Sequence, residues 1–191
     1  VQIGSSSLWT SVACGYYHTV ALQTPGTLWA WGNNSWGQLG TSNQTNYVNP
    51  VQIGASNLWT SIATGQYHTV AAQSNGTLWA CGYNIVGQLG TSNTTNYSSP
   101  KQVGALTDWS KIRGSGSFNT IATKTDGTLW TCGVAVQGAL GTGPGELINK
   151  SSLVQVGTDT NWSKVSGSIH GTFLTIKTDG TLWGWGFNGD G

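Results

Sequence analysis

Short segments of alternating apolar and polar residues, separated by glycine, follow one another along the whole chain. Residues 8–13 alternate weakly, and residues 18–23 place Val20 and Leu22 on one face, so each segment predicts a strand. Residues 27–31 and 50–53 predict a third and a fourth short strand. No segment carries a convincing 3.6-residue apolar period, and the pattern therefore predicts an all-β fold.

The connection between the second and third predicted strands carries a hairpin signal. It reads Thr24-Pro25-Gly26 in the first unit and then, along the chain, Asn75-Gly76, Asp126-Gly127 and Asp179-Gly180. Asn-Gly and Asp-Gly pairs favour tight hairpins because both residues tolerate a positive φ. We therefore interpret Asp126 and Asp179 as turn residues with positive φ.

The four-strand pattern is repeated along the chain. The tryptophans at one repeat position are spaced by 50, 50 and 53 residues, at Trp9, Trp59, Trp109 and Trp162. The first two copies are identical at 35 of 50 positions. Residues 1–191 thus form one domain of four repeats, with the last one cut short: approximately 1–50, 51–100, 101–153 and 154–191. Four short strands per repeat of about fifty residues are typical of a propeller blade.

Three motifs in the first unit resemble the RCC1 repeat: Gly15-x-x-His18-Thr19-Val20-Ala21-Leu22, Gly26-Thr27-Leu28-Trp29-Ala30-Trp31-Gly32, and Asn34 followed by Gly37-Gln38-Leu39-Gly40. The second copy carries all three, whereas the third has Asn119 and the fourth Thr172 at the histidine position. The resemblance implies an RCC1-like β-propeller, with about four four-stranded blades of a ring that usually has seven.

Fewer than four repeats are expected to leave two blade faces without a neighbour. Val1 corresponds to Val51, late in a repeat, and Gly191 to Gly37, in the middle of one. Open faces rich in Val, Leu and Trp favour aggregation. We therefore expect either the remaining blades of the same polypeptide or a second copy of the chain to cover them.

Charge is confined to the second half of the chain. All 13 charged side chains lie at or after Lys101, and the net charge is +1. Phosphate binding needs several basic residues on one surface, so we expect no nucleic-acid partner. No run of eighteen apolar residues occurs, and no membrane insertion is expected.

Catalytic and metal-binding patterns are not identifiable in the sequence. There are no paired carboxylates, no phosphate loop with lysine and no His-Glu-x-x-His or Cys-x-x-Cys motif. We expect His18 and His68 to hydrogen-bond neighbouring backbone inside their blades, and Cys14, Cys81 and Cys132 to be small buried thiols. The sequence predicts a protein that is not an enzyme and holds no cofactor or metal.

Loop aromatics are the candidate partner-binding residues. Three successive repeats place an aromatic residue at one position of the loop before the second strand, at Tyr17, Tyr67 and Phe118. The other candidates are the residues preceding that position and one residue of a later loop: Tyr16, Gln66, His170 and Trp36. Repeated loops lie on one face of a propeller, so these residues predict an aromatic arc. The alternative is that they are half-buried packing residues.

Three functions are compatible with this reading. The leading hypothesis is a non-enzymatic binding or structural module that recognises a protein, secreted or on the surface of a virion or cell envelope. It rests on the scarcity of charge, the similarity of the repeats and the composition rich in Asn, Thr, Gly and Trp. The first alternative is a lectin-like carbohydrate-binding propeller. The second is an intracellular scaffold or GTPase exchange factor, as the resemblance implies, although the first hundred residues lack the charged surface that such a role uses.

Overall fold

The computed structural model describes residues 2–114, 118–143, 145–168 and 171–187. They form four antiparallel sheets, which follow one another along the chain and which we call blades 1 to 4. Blades 1, 2 and 3 have four strands each, and blade 4 has three among the described residues. The all-β propeller architecture predicted from the sequence is confirmed.

Each blade is a meander in which every strand pairs with the next one along the chain. The strands of blades 1 and 2 are β1 (Trp9–Cys14), β2 (His18–Gln23), β3 (Thr27–Gly32), β4 (Tyr47–Gln52), β5 (Trp59–Thr64), β6 (His68–Gln73), β7 (Leu78–Gly82) and β8 (Tyr97–Gln102). The strands of blades 3 and 4 are β9 (Trp109–Gly114), β10 (Asn119–Lys124), β11 (Leu129–Gly133), β12 (Lys150–Gln155), β13 (Trp162–Gly167), β14 (Phe173–Lys177) and β15 (Leu182–Trp185). A single 3₁₀ turn, Val136–Gly138, is the only helical segment in the described ranges.

The fourth strand of each complete blade begins earlier than the sequence pattern predicted. In blade 1 it starts at Tyr47 rather than at Pro50. Tyr47 pairs with Gly32, while Val51 pairs with Ala30, and the register shifts between these two pairs. Between these two pairs, β4 contains more residues than β3. Because of this bulge, the first half of β4 lacks the simple alternation of a regular strand.

The hydrophobic core lies between neighbouring blades. The first strands approach one another, β1 to β5 to β9 to β13, and so lie innermost, whereas β4 and β8 contain no fully buried residue. Between blades 1 and 2, Val20 and Leu28 of blade 1 pack in one cluster with Ile62 and Ala71 of blade 2. Each blade is therefore stabilised by apolar surface that its neighbour removes from water.

Each blade contains a pair of tryptophans that contact each other. One comes from the first strand and one from the third, with ring centres 6.0 to 6.2 Å apart and edge-to-face: Trp9 and Trp29, Trp59 and Trp79, Trp109 and Trp130, Trp162 and Trp183. Trp59, Trp109 and Trp162 are buried and lie in the clusters between blades, whereas Trp183 is 48% exposed. The first-strand tryptophans of blades 2, 3 and 4 thus contribute to blade-to-blade packing.

The hairpin turns differ from the prediction in one respect. Gly127 adopts a positive φ of 81°, whereas no positive φ is found at Asp126. The Asp126 carboxylate instead accepts hydrogen bonds from the backbone N–H and the hydroxyl of Thr128, which lower the pKa of Asp126. Asp179 and Thr181 repeat the arrangement. The aspartate thus serves the turn as a hydrogen-bond acceptor, and the glycine supplies the left-handed conformation.

Candidate protein-binding face

Buried histidines join the blades beneath the loops of one propeller end. The Nε2 atom of His18 in blade 1 lies 3.1 Å from the Thr69 hydroxyl of blade 2, and that hydroxyl donates to the Gln38 carbonyl of blade 1 at 2.7 Å. Since the hydroxyl hydrogen is used on the carbonyl, the hydroxyl oxygen accepts from Nε2–H. His68, Thr120 and Gln88 repeat this His–Thr–carbonyl relay at the next junction, with distances of 2.9 and 2.7 Å.

The relay corrects the prediction for the histidines, because their ring partners are hydroxyl groups of the next blade and not backbone of their own blade. Burial lowers the pKa of His18 to about 4 and that of His68 to about 3, so both rings are neutral at pH 7. A catalytic base needs a pKa near the working pH and access to its substrate. These histidines have a structural role.

Two of the three cysteines are buried, as predicted, and Cys14 is exposed, which corrects the prediction for that residue. The thiols of Cys81 and Cys132 face the Gln38 and Gln88 carbonyls of the preceding blade at 3.7 and 3.5 Å. Burial raises the pKa of each of these thiols to about 12. A thiol with so high a pKa remains protonated at pH 7 and is a poor nucleophile or metal ligand. In the part of the chain that the structure describes, no group of three His, Cys, Asp or Glu side chains could hold a metal ion.

Buried asparagines shape the long loops that follow β3 and β7. Asn84 is fully buried, and its amide donates to the carbonyls of Asn93 and Thr95 at 3.0 and 2.9 Å. Its side-chain oxygen accepts from the Leu89 N–H at 2.9 Å. Asn34 has the same role in blade 1, where it is bonded to Asn43 and Leu39. A folded loop without regular structure is thus held by one side chain.

Replacing Asn84 by alanine is expected to destabilise the protein by about 2 kcal/mol, because several buried backbone groups lose their partner at once. Urea unfolding measures this change. Asn93→Ala is the matched control in the same loop, since it leaves the Asn84 bonds to the Thr95 carbonyl and the Leu89 N–H in place and is expected to cost less. Equal losses for the two variants would contradict the role given to Asn84.

The loops at this end of the propeller bring six aromatic rings into one continuous cluster, which we call the aromatic face: Tyr16, Tyr17, Trp36, Tyr67, Tyr83 and Phe118. Tyr67 lies at its centre, with ring centres 6.3 Å from Tyr17, 6.2 Å from Phe118 and 6.3 Å from Tyr83. The Tyr16 N–H donates to the Gln66 carbonyl at 3.2 Å and ties the loops of blades 1 and 2 together. The cluster crosses three blades.

The rings differ in exposure across the aromatic face. Tyr17 is 61% exposed, Tyr16 52% and Trp36 40%, whereas Tyr67 and Phe118 are half-buried. Tyr67 and Phe118 are therefore packing residues of the cluster, whereas the outer rings are exposed to solvent. Binding of a partner by these rings stays a prediction. Exposed aliphatic side chains of the neighbouring loops, Ile85 and Val136, add apolar surface at this end.

One member of the aromatic face, Tyr83, was not among the residues predicted from the sequence. Tyr83 contacts Trp36 at 4.8 Å and Phe118 at 5.9 Å between ring centres, and so links the two sets of loops. It follows Gly82 at a position that is Asn33 in blade 1, so a comparison of variable repeat positions could have found it. Of the residues that were predicted, Gln66 is half-buried beside the cluster, and His170 lies outside the described residues.

Solved structures of similar architecture include RCC1 propellers. A crystal structure of Kap60 bound to yeast RCC1 (Prp20) matches with a TM-score of 0.83 and 22% identity, over 97% of this chain and 45% of that one. The structure of Prp20p from Saccharomyces cerevisiae, whose binding to Gsp1p and histones has been described, matches with a TM-score of 0.83 and 20% identity, over 96% and 47%. Human WBSCR16 gives 0.80 and 18%, over 94% and 47%. The chain thus spans less than half the length of these propellers.

These similarities correct the location predicted from the sequence. Histones, whose binding to Prp20p has been described, are nuclear proteins, and the RCC1 structures are those of intracellular proteins. The prediction of a secreted protein, or one on a virion or cell envelope, is wrong by this comparison. Scarcity of charge was the main support for it, and charge composition bears on solubility rather than on compartment.

Sequence comparison identifies the repeat. The E3 ubiquitin-protein ligase highwire of Drosophila melanogaster is 41% identical over 51 residues, which are 27% of this chain and 1% of highwire. The family model of the regulator of chromosome condensation (RCC1) repeat matches residues 25–72 and 75–122, and a second model of that repeat matches 9–38 and 59–88. With half of its length matched by the first model and the fold of RCC1 propellers, this chain belongs to the RCC1-repeat family.

Proposed function

We propose that this chain is a non-catalytic, protein-binding propeller whose partner docks on the aromatic face. The observation that carries the proposal is the continuity of six aromatic rings across three blades, with Tyr16, Tyr17 and Trp36 open to solvent. Tyrosine and tryptophan dominate the binding energy of protein interfaces, since they bury a large area with few rotatable bonds. RCC1-family propellers are typically binding or exchange-factor scaffolds.

The chemistry around the aromatic face favours an apolar and hydrogen-bonding partner surface. Residues 1–100, which supply five of the six rings, contain no Asp, Glu, Lys or Arg. Long-range electrostatic steering is therefore weak there, and affinity depends on ring burial and on hydroxyl and amide hydrogen bonds. A partner of this kind binds with little dependence on salt.

The test is a comparison of three immobilised baits: the unchanged chain, Tyr17→Ala/Tyr67→Ala, and the control Leu58→Ala/Leu106→Ala. The control removes two exposed apolar side chains from the loops that precede β5 and β9, at the opposite end of the blades. We expect a specific protein to bind the unchanged chain and the control equally, and the tyrosine variant at least tenfold more weakly. Thermal unfolding of all three baits checks that they are folded.

Two further arms separate the alternatives. Equal retention of every protein on all three baits contradicts docking on the aromatic face. Saturable binding to a glycan array that is lost in the tyrosine variant replaces the protein partner by a carbohydrate. The second further arm uses purified Gsp1p, to which the binding of Prp20p has been described. Its binding in a pull-down would favour the exchange-factor role.

A further inference from the structure

Blades 3 and 4 each hold a lysine ammonium group against their own tryptophan pair. The Lys124 Nζ atom lies 4.4 Å from the Trp130 ring centre and 5.3 Å from that of Trp109. In blade 4, Lys177 Nζ lies 3.8 Å from the Trp183 ring centre and 4.6 Å from that of Trp162. All four distances are within the range of cation–π attraction. The tryptophan pair of this repeat is therefore an ammonium-binding element.

Each of these lysines also forms an ion pair. Lys124 Nζ is 3.3 Å from the Asp108 carboxylate, and Lys177 Nζ is 2.8 Å from that of Asp159. The two lysine side chains are only 9% and 7% exposed. A primary ammonium that gives up its water shell needs such a carboxylate to offset the loss.

Blade 2 keeps the tryptophan pair but has neither the lysine nor a carboxylate. Trp59 and Trp79 lie edge-to-face at 6.2 Å, as in blades 3 and 4. The residue equivalent to Lys124 is Gln73, whose amide is held by the hydroxyls of Ser56 and Thr77 at 3.3 and 3.4 Å. Leu58 stands where blade 3 has Asp108.

An open cavity of about 260 Å³ adjoins this tryptophan pair. Trp59, Trp79 and Gln73 line it together with Ile53, Ser56 and Pro100, and no ionisable side chain is among the residues that line it. Ile53 follows β4 of blade 1 and Pro100 belongs to β8 of blade 2, so the cavity is lined by both blades. It shares no lining residue with the aromatic face. Its size is sufficient for a trimethylammonium group with part of an alkyl stem.

We propose that this cavity binds a quaternary or methylated ammonium group on an alkyl stem, with Trp59 and Trp79 as the cation-binding rings. A methylated ammonium is weakly hydrated and loses little on entering a neutral aromatic cavity, whereas a primary ammonium would lack the carboxylate that accompanies Lys124 and Lys177. The positions of the Lys124 and Lys177 ammonium groups relative to their tryptophan pairs indicate where the positive charge of the ligand lies in blade 2. A methylated lysine side chain of a protein and choline share this chemistry.

The experiment uses choline and its neutral isostere, 3,3-dimethylbutan-1-ol, as probes. Each is titrated into the unchanged chain while the indole N–H resonances of Trp59 and Trp79 are followed by NMR. We expect saturable shifts with choline, with a dissociation constant on the order of millimolar, and at least fivefold weaker binding of the alcohol. Equal binding of the two probes, or no saturable shift with choline, would overturn the proposal without the use of any variant.

A matched pair of variants locates the site. Leu58→Asp/Gln73→Lys supplies blade 2 with the carboxylate and the ammonium that Asp108 and Lys124 supply in blade 3, and is expected to abolish the choline shifts. Leu8→Asp/Gln23→Lys makes the same changes in blade 1 and should leave the shifts unchanged. Persistence of the shifts in folded Leu58→Asp/Gln73→Lys would contradict a site between Trp59 and Trp79.

Discussion

Lowering the pH from 7 to 4 is expected to destabilise the protein by about 6 kcal/mol through two histidines alone. Burial lowers the pKa of His18 to about 4 and that of His68 to about 3, against 6.5 in the unfolded chain. Between pH 6.5 and 4 the unfolded state therefore binds more protons than the folded state. The free energy of unfolding has its full value above pH 6.5. It falls as the pH decreases to 4, by about 3 kcal/mol for each ring.

The magnitude is large because protonation would place a charge between two blades. His18 and His68 are 3% and 0% exposed, and no acidic side chain occurs in residues 1–100 to compensate a charge. The positive charge on one ring also disfavours protonation of the other. A loss of 6 kcal/mol is comparable to the whole stability of a typical domain, so acid is expected to unfold the chain.

Urea unfolding at a series of pH values measures this dependence, and His18→Gln/His68→Gln is the control. Glutamine places an amide N–H near the position of Nε2 and does not titrate, so the double variant keeps a donor for Thr69 and Thr120. Its stability should change far less than that of the unchanged chain between pH 6.5 and 4. The carboxyl pKa values of Asp126, Asp179 and Glu146 are lowered from ordinary values of 3.8 for aspartate and 4.5 for glutamate, so the stability that these groups contribute begins to be lost at the lower end of this range, equally in both proteins. The same slope in both proteins would show that the histidines are not the cause.

The blades could be predicted from the sequence because their determinants are local and repeated. The period fixes the register of every copy, and a turn such as Asn75-Gly76 needs only two residues to be recognised. The spatial relation between neighbouring copies, in contrast, could not be predicted from such local patterns. His18 and Thr69 are 51 positions apart, and their contact depends on how two blades are placed side by side, which no local pattern encodes.

Part of the candidate site could likewise be predicted from repeat positions, and part could not. Tyr17, Tyr67 and Phe118 could be predicted to lie close together because they occupy equivalent repeat positions, and equivalent loops lie at the same end of a propeller. Tyr83 and Trp36 come from a different loop, and their contact depends on a loop path that Asn84 fixes through buried hydrogen bonds. Exposure was also unpredictable for single residues: Cys14 is exposed, while its equivalent in blade 2, Thr64, is buried under a neighbouring blade.

The junction between blades 3 and 4 has no His–Thr pair, and this difference leads to the second large effect. Asn119 stands at the histidine position, and Phe173 stands at the threonine position of the next blade. The Phe173 ring is fully buried and stacks on Trp185 at 5.8 Å, while the Asn119 amide donates to the Val134 carbonyl at 2.7 Å. Across the junction, the Trp185 Nε1–H donates to the Ala139 carbonyl at 3.2 Å.

Phe173→Thr alone is expected to destabilise the protein by about 3 to 4 kcal/mol, because it removes a buried ring and leaves a cavity against Trp185. Asn119→His alone should also destabilise it, since the imidazole would meet the Phe173 ring instead of a hydroxyl acceptor. In the double variant the new imidazole can donate to the new hydroxyl, as His68 does to Thr120, so we expect the two changes together to cost at least 1 kcal/mol less than their sum.

A double-mutant cycle from urea unfolding measures this coupling, and Asn119→His/Phe173→Ala is its matched control. Alanine creates a similar cavity but supplies no hydroxyl, so its cycle should show no favourable coupling. Equal coupling in the two cycles would mean that relief of steric overlap, rather than the relay, explains the recovery. Coupling found only with threonine would establish that a His–Thr pair can be moved from one blade junction to another. Two junctions of this chain use such a pair, whereas the third packs Phe173 against Ile121 and Leu129 of the preceding blade.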